Sequence, residues 1–250
     1  MPKEREIEEL PLNAWPPLET LFFDGWILSF SDGYTRRANS IHTLYSSTLG
    51  LGEKIRTCER MHANRSLEVT FKLTSSPSDA ELDRSLEDAG YARVAPTSVQ
   101  TTDLATLDAR TDLDVVISPQ LEDGWFADFN RLTVTPQQLQ PSERRLLEKI
   151  GPPHAFGQIV HDGQTVAVGL AVAERGHVGL FDIVVDSTVR NGGLGRRLCS
   201  RLLQWGRDEH AASTGYLAVM SDNAPALKLY ANLGFREVYT YWYRQRLRSD

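Results

Sequence analysis

Residues 181–197 read FDIVVDSTVRNGGLGRR, and the reading of this stretch decides the fold. Ile183, Val184 and Val185 form a β-branched run that predicts a strand. Residues 186–189 turn the chain. Arg190 and a glycine-rich bend follow. Leu194, Leu198, Leu202 and Trp205 then recur at roughly helical spacing, so a helix buries one face. Strand, glycine-rich loop and helix N-terminus together make an anion site. The first-turn N–H groups have no intrahelical partner, and the helix dipole favours negative charge beside them. Gly192, Gly193 and Gly195 let a ligand approach the backbone with no Cβ in the way.

Two common phosphate loops do not fit. A P-loop needs Lys and then Ser or Thr after its last glycine, and here Arg196 and Arg197 follow. A dinucleotide fingerprint needs Gly-x-Gly-x-x-Gly, whereas the spacing here is Arg190-x-x-Gly193-x-Gly195. That spacing resembles the acyl-CoA pyrophosphate loop of the GCN5-related N-acetyltransferases. A second stretch downstream, NAPALKLYANLGF from Asn223 to Phe235, resembles a later helix of the same family. The two stretches stand in the family's order, with a strand-like segment at 216–220 between them.

The resemblance implies a mixed α/β (α+β) fold, a mostly antiparallel sheet flanked by helices, and acetyl-CoA as co-substrate. It implies that the pantetheine arm pairs with the backbone of Ile183, Val184 and Val185, one of whose N–H groups would stabilise the oxyanion. The pyrophosphate would lie on the N–H groups of Asn191, Gly192, Gly193, Leu194, Gly195 and Arg196, with Arg190 adding charge. Tyr230 matches the family's general acid; an ordinary phenol near pKa 10 is protonated at neutral pH and can donate to a thiolate. Asn223 is read both as a helix cap before Pro225 and as a hydrogen-bonding partner of the CoA arm. Asp182 falls where relatives carry a carboxylate, as a base acting through water or as a group that only orients the ammonium. Glu174 and His161 are weaker base candidates and read better as solvated turn residues. The implied function is transfer of acetyl to a primary amine of a small molecule or peptide. The competing class is a non-catalytic acyl-CoA sensor or interaction module.

Composition excludes other classes. The 250 residues are 41% hydrophobic with five Trp, enough for a sizeable core. Net charge is −6 and the pI about 5.6, so there is no basic footprint for nucleic acid. The N-terminal MPKEREIEEL lacks the apolar run of a signal peptide, and no stretch reaches the length of a membrane span. A cytoplasmic chain is expected. Cys58 and Cys199 read as buried apolar residues, and six scattered His make no metal pattern, so no metal is expected.

The first half carries fainter signals. Residues 7–15 predict a short helix stopped by Pro16-Pro17. A strand at 25–30 and an Asp32-Gly33 turn predict a hairpin with a return strand at 34–41. Residues 53–63 read as a helix and 67–73 as an alternating strand. Ser78 and Glu81 form a predicted capping box, and Gly90 stops that helix before a strand at 94–101. The stretch LEDAGY (86–91) aligns with YANLGF (230–235), which makes the first half look like a decayed copy of the second. Leu86 stands where Tyr230 has its phenol, and Ser47 stands where Arg190 would be, before a Leu49-Gly50-Leu51-Gly52 echo of the loop. Arg36-Arg37 is read as charge on an exposed edge strand, or as cover for the second half's cleft.

Residues 102–112 read as a polar linker. Beyond it come a strand at 115–118, helices at 125–132 and 142–150, and a three-stranded meander across Asp162-Gly163 and Gly176. The aromatic run at 239–243 predicts a last strand. The expected division is a degenerate half, 1–105, and a catalytic half, 106–250, that binds acetyl-CoA even when isolated. A monomer that pairs its own two halves, or a homodimer, is expected.

Overall fold

The computed structural model describes residues 2–107 and 114–246. Helix α1 (Pro2–Ala14) opens the chain, followed by strands β1 (Glu19–Phe23), β2 (Trp26–Phe30) and β3 (Ile41–His42). Helix α2 (Leu51–Ala63), β4 (Thr70–Thr74), α3 (Ala80–Asp88) and β5 (Ala92–Asp103) complete the first half. The second half runs β6 (Val115–Ser118), α4 (Asp123–Thr133), α5 (Gln140–Glu148), β7 (His154–His161), β8 (Gln164–Glu174) and β9 (His177–Val185). It closes with α6 (Leu194–His210), β10 (Thr214–Met220), α7 (Ala224–Asn232) and β11 (Arg236–Gln245). The predicted helices and most predicted strands are present.

Three local expectations are corrected. The hairpin turn is Asp24-Gly25, between β1 and β2, rather than Asp32-Gly33. Both its residues have positive φ, 42° and 80°, as a type I′ turn requires. A Cβ on Gly25 would lie 2.3 Å from the Ser46 carbonyl, so this position admits only glycine. The predicted return strand at 34–41 shrinks to Ile41–His42 because Asn39 folds the preceding loop on itself. Its Oδ1 accepts from the N–H groups of Ser31 (2.7 Å) and Gly33 (3.2 Å), and its Nδ2 donates to the carbonyls of Tyr34 and Thr35. The capping box is absent: Ser78 lies inside a 3-10 turn, and no side chain caps α3. Of the predicted linker, 102–103 end β5 and 104–106 form a 3-10 turn, while 108–112 lie outside the described residues.

All eleven strands among the described residues join one sheet, in the order β1-β2-β3-β4-β11-β5-β10-β9-β8-β7-β6. The middle of that order is symmetric. Parallel pair β3-β4 lies on one side and parallel pair β10-β9 on the other, and β11 and β5 run antiparallel between them. Each half's last strand is thus placed in the other half. β5 pairs with β10 from Thr214↔Asp103 to Met220↔Thr97, and β11 pairs with β4 from Tyr241↔Thr74 to Gln245↔Thr70. The LEDAGY and YANLGF stretches end their helices alike. Tyr91 N–H bonds the Leu86 carbonyl and Phe235 N–H the Tyr230 carbonyl, both at 2.9–3.0 Å, with Gly90 and Gly234 left-handed before them.

Apolar clusters cover the sheet. One holds Leu10, Trp15, Phe129, Leu146, Phe156 and Tyr241; another holds Leu198, Cys199, Leu202, Leu203, Leu217 and Phe235. Helix α6 lies close on β7 and β8 because Gly157 and Gly169 leave room for Leu198 and Leu202. Cys58 and Cys199 are free and buried, as expected, and burial pushes each thiol up to about 12. Among the described residues no helix is long and apolar enough to cross a membrane.

Candidate active site

The site begins where a strand pair parts. β9 and β10 are hydrogen-bonded only from Thr214↔His177 to Tyr216↔Gly179, then diverge. A cavity of about 230 Å³ fills the opening. Asp182 and Ile183 of β9, Met220 and Asn223 at the end of β10, and Tyr230 of α7 line it. Tyr239 and Tyr241 of β11 and Arg37 of the 31–40 loop line it too.

A bulge aims β9 at this cavity. Val168 pairs with Val184 and Leu170 with Phe181, so Asp182 and Ile183 together stand opposite Gly169. Asp182 takes a left-handed φ of 50° there. A Cβ on Gly169 would sit 2.6 Å from Ile183 Cδ1, so the glycine is what admits the bulged side chain. Asp182 keeps some exposure, yet its Oδ2 is sealed from solvent and has no hydrogen-bond partner among the described residues. Burial pushes its carboxyl up to about 6, with the Arg37 guanidinium offsetting part of that rise.

Tyr230 is 9% exposed and packs edge-on against Phe235 at 5.9 Å. Burial raises its phenol above the ordinary value, and the neighbouring Cys199 and Asp182 raise it further. The phenol therefore holds its proton throughout the neutral range. Asn223 accepts from Ala226 N–H at 3.2 Å, the cap expected of it, and also borders the cavity.

The loop beyond β9 forms a bare helix N-terminus. Asn191 and Gly193 both have positive φ, 67° and 80°, and no side chain caps α6. The Arg197 N–H bonds the Gly193 carbonyl, leaving the N–H groups of Leu194, Gly195 and Arg196 directed outward. A Cβ on Gly193 would meet nothing within 4 Å, so the space beside this turn is open. Arg190 is exposed beside it, with Nε on the Val185 carbonyl at 3.3 Å. Gly192 is exposed, and Val184 and Val185 are half-buried on β9.

The corresponding turn of the first half differs. Before α2, the Asp24 carboxylate accepts from Thr48 N–H (2.9 Å), Leu49 N–H (2.9 Å) and Thr48 Oγ1 (2.7 Å). Lys54 closes it, 3.2 Å from Asp24. These hydrogen bonds hold the Asp24 carboxyl well below the usual carboxylate range. An internal carboxylate therefore takes the N–H groups of the two residues ahead of the α2 N-cap.

The Arg36-Arg37 pair is not on an edge strand. Arg36 turns outward to Gln245 at 3.1 Å, whereas Arg37 turns into the cavity between the rings of Trp15 and Phe181. The 31–40 loop is tied to α5 by Ser142 to Asp32 (2.7 Å) and by a hydrogen bond from Tyr34 to the buried Glu143. Glu174 accepts from Asn13 and His161 sits beside Asp162; neither lines the cavity. Sequence reasoning did not single out Tyr34 or Glu143, because nothing local joins residues so far apart.

A family model described as "Probable histone acetyltransferase Rv0428c C-terminal" matches residues 3–244. The chain belongs to the GCN5-related N-acetyltransferases. By that membership it is an N-acetyltransferase, of a family that uses acetyl-CoA as co-substrate. The uncharacterized N-acetyltransferase YobR of Bacillus subtilis is 26% identical over 244 residues, 96% of this chain and 97% of that one. The [ribosomal protein bS18]-alanine N-acetyltransferase of Escherichia coli is 30% identical over 96 residues, 38% of this chain and 64% of that one. Among solved structures, a GCN5-related N-acetyltransferase from Kribbella flavida superposes with a TM-score of 0.72 at 14% identity, covering 98% and 96% of the two chains. A tandem acetyltransferase of the clavulanic acid pathway gives 0.65 at 16% identity, covering 98% and 89%. At these identities the two structures show the fold. Among the described residues no group of His, Cys, Asp and Glu is arranged for a metal ion.

Proposed function

We propose that this acetyltransferase moves acetyl directly from acetyl-CoA to the primary amine of an acceptor, with Asp182 and Tyr230 as its proton-handling pair. One observation carries the reading: the parting of β9 and β10 places both side chains in one cavity, beside an uncapped helix N-terminus. Acetyl-CoA supplies the thioester. Its pyrophosphate suits the N–H groups of Asn191, Gly192, Gly193, Leu194, Gly195 and Arg196, with Arg190 adjacent, and its pantetheine suits the free backbone edge of Ile183, Val184 and Val185. Asn223, at the cavity's rim, would hydrogen-bond the arm. Asp182 takes the proton of the acceptor ammonium, directly or through water. A backbone N–H of the bulged strand faces the developing oxyanion. Tyr230 gives its proton to the departing sulfur as the C–S bond breaks. Against the sensor reading, the cavity holds both an acid and a base, which binding alone does not need.

The reading also divides the chain into an N-terminal copy, 1–105, that has lost its ligand site, and a C-terminal copy, 106–250, that keeps it. One acetyl-CoA per chain is therefore expected. Gly193→Asn and Gly193→Asp are the informative pair, because both residue types tolerate left-handed φ and only Asp adds charge. By calorimetry Gly193→Asn should keep most of the affinity. Gly193→Asp should lose it by about a hundredfold or more, since a desolvated charge conflict costs several kcal/mol. Equal binding by both variants, or two sites in the wild-type chain, would contradict the placement.

A base whose carboxyl is pushed up to about 6 works only when ionised. At low acceptor concentration, kcat/KM should rise about tenfold per pH unit below about 6 and level off above it. Asp182→Asn should remove that limb and lower the plateau. An unchanged acid limb in the variant would assign the base elsewhere.

A further inference from the structure

The acetyltransferase reading leaves the acceptor open, and the inference drawn here, which rests on that reading, concerns its chemical class. Arg37 and Asp182 line one cavity, and Arg37 Nη1 and Asp182 Oδ2 are both buried with no hydrogen-bond partner among the described residues. Neither is stranded by poor packing. The guanidinium lies over the rings of Trp15 at 5.2 Å and Phe181 at 5.6 Å, and its Nη1 is buried with no hydrogen-bond partner among the described residues. The loop carrying it is clamped by Asn39 and tied to α5 through Asp32 and Tyr34, so its position is fixed. Asp182 is held by the β9 bulge.

A guanidinium with a buried, unpartnered N–H donor suits a planar anion, and a carboxylate can take two guanidinium donors at once. A buried carboxylate oxygen with no donor is built for an ammonium. Both residues line a cavity of about 230 Å³, the scale of a small molecule. We propose that the acceptor is a small zwitterion of amino-acid type, its amino group held by Asp182 and its own carboxylate held by Arg37. A polypeptide N-terminus has an amide where this carboxylate would be, and it would leave Arg37 Nη1 without a partner. The first half of the chain thereby contributes the residue that selects the acceptor for the second half.

The test compares matched acceptors on the wild-type enzyme: free α-amino acids, their carboxamides, the amines that lack the carboxylate, and short peptides with blocked C-termini. Thiol release from acetyl-CoA gives kcat and KM for each. Free amino acids should show KM values about ten- to a hundredfold below their carboxamides and decarboxylated counterparts, the weight of one charge-assisted pair. Arg37→Gln should erase that difference by raising KM for the acids alone, with acetyl-CoA affinity by calorimetry unchanged. The substrate arm needs no variant, so a poorly folding Arg37→Gln leaves the test intact. Blocked peptides or plain amines acetylated as well as the acids would overturn the zwitterion and leave the acetyltransferase reading standing. Acetyl-CoA binding without thiol release toward any acceptor would overturn both.

Discussion

A chain cut to residues 106–250 should neither fold cooperatively nor bind acetyl-CoA, although it contains every residue proposed to contact that ligand. The reason is the exchanged strand. β5 lies between β10 and β11 and pairs with both, and β11 is otherwise held only by β4 of the first half. Side chains of the first half finish the attachment: Asp83 accepts from Trp242 Nε1 at 2.8 Å and from Arg244 Nε at 2.7 Å. Without residues 1–105, β10 and β11 have no strand between them, and Tyr239 and Tyr241 lose their place in the cavity wall. A domain's usual margin of about 5–15 kcal/mol leaves little room for losing a central strand. Circular dichroism and a thermal melt on the fragment decide the matter. A sharp transition with full-length affinity for acetyl-CoA would show that the second half closes its own sheet. This expectation replaces the one read from sequence, in which the second half stands alone.

That reversal marks where the sequence stops being legible. In the 181–197 stretch the strand, turn, glycine bend and amphipathic helix are legible, because each is written in neighbouring residues. The Asp162-Gly163 hairpin, the Gly90 and Gly234 helix stops and the cap at Asn223 are legible for the same reason. Two turns of like chemistry were not separable: Asp24-Gly25 and Asp32-Gly33 both adopt left-handed φ, but only the first joins paired strands. What decides between them is Asn39, whose four hydrogen bonds close the second into a loop. The exchange of β5 and β11 has no local signature at all, since alternating apolar residues do not state which neighbour they pair with. Arg37 shows the same limit at the site. Its charge argues for solvent, and only the packing of Trp15 and Phe181 across the halves turns it inward. Asp24 is the converse case: the glycine echo at 49–52 hints at a second anion site, and a carboxylate from a distant hairpin takes the Thr48 and Leu49 N–H groups at its start.

Tyr230→Phe should leave the protein as stable as the wild type and lower kcat by about a hundredfold to ten-thousandfold, the usual contribution of general acid catalysis. Stability should hold because the phenol has no hydrogen-bond partner among the described residues, so its removal strands no donor or acceptor. The ring keeps its edge-on contact with Phe235, and the Tyr230 backbone carbonyl keeps the bonds that end α7. Affinity for acetyl-CoA should change little, because the α6 N-terminus and the β9 backbone lie elsewhere. Rate should fall because the substituted ring cannot protonate the sulfur as it leaves, and water in a narrow cavity is a poor replacement. The raised phenol pKa sharpens the expectation: the residue is wholly in its acid form at neutral pH, and deprotonation imposes no limb on the profile there. A kcat loss without a shift in melting temperature identifies an acid. A melting shift without a kcat loss would make Tyr230 a packing residue at the mouth of the CoA site, and the sulfur would then take its proton from solvent.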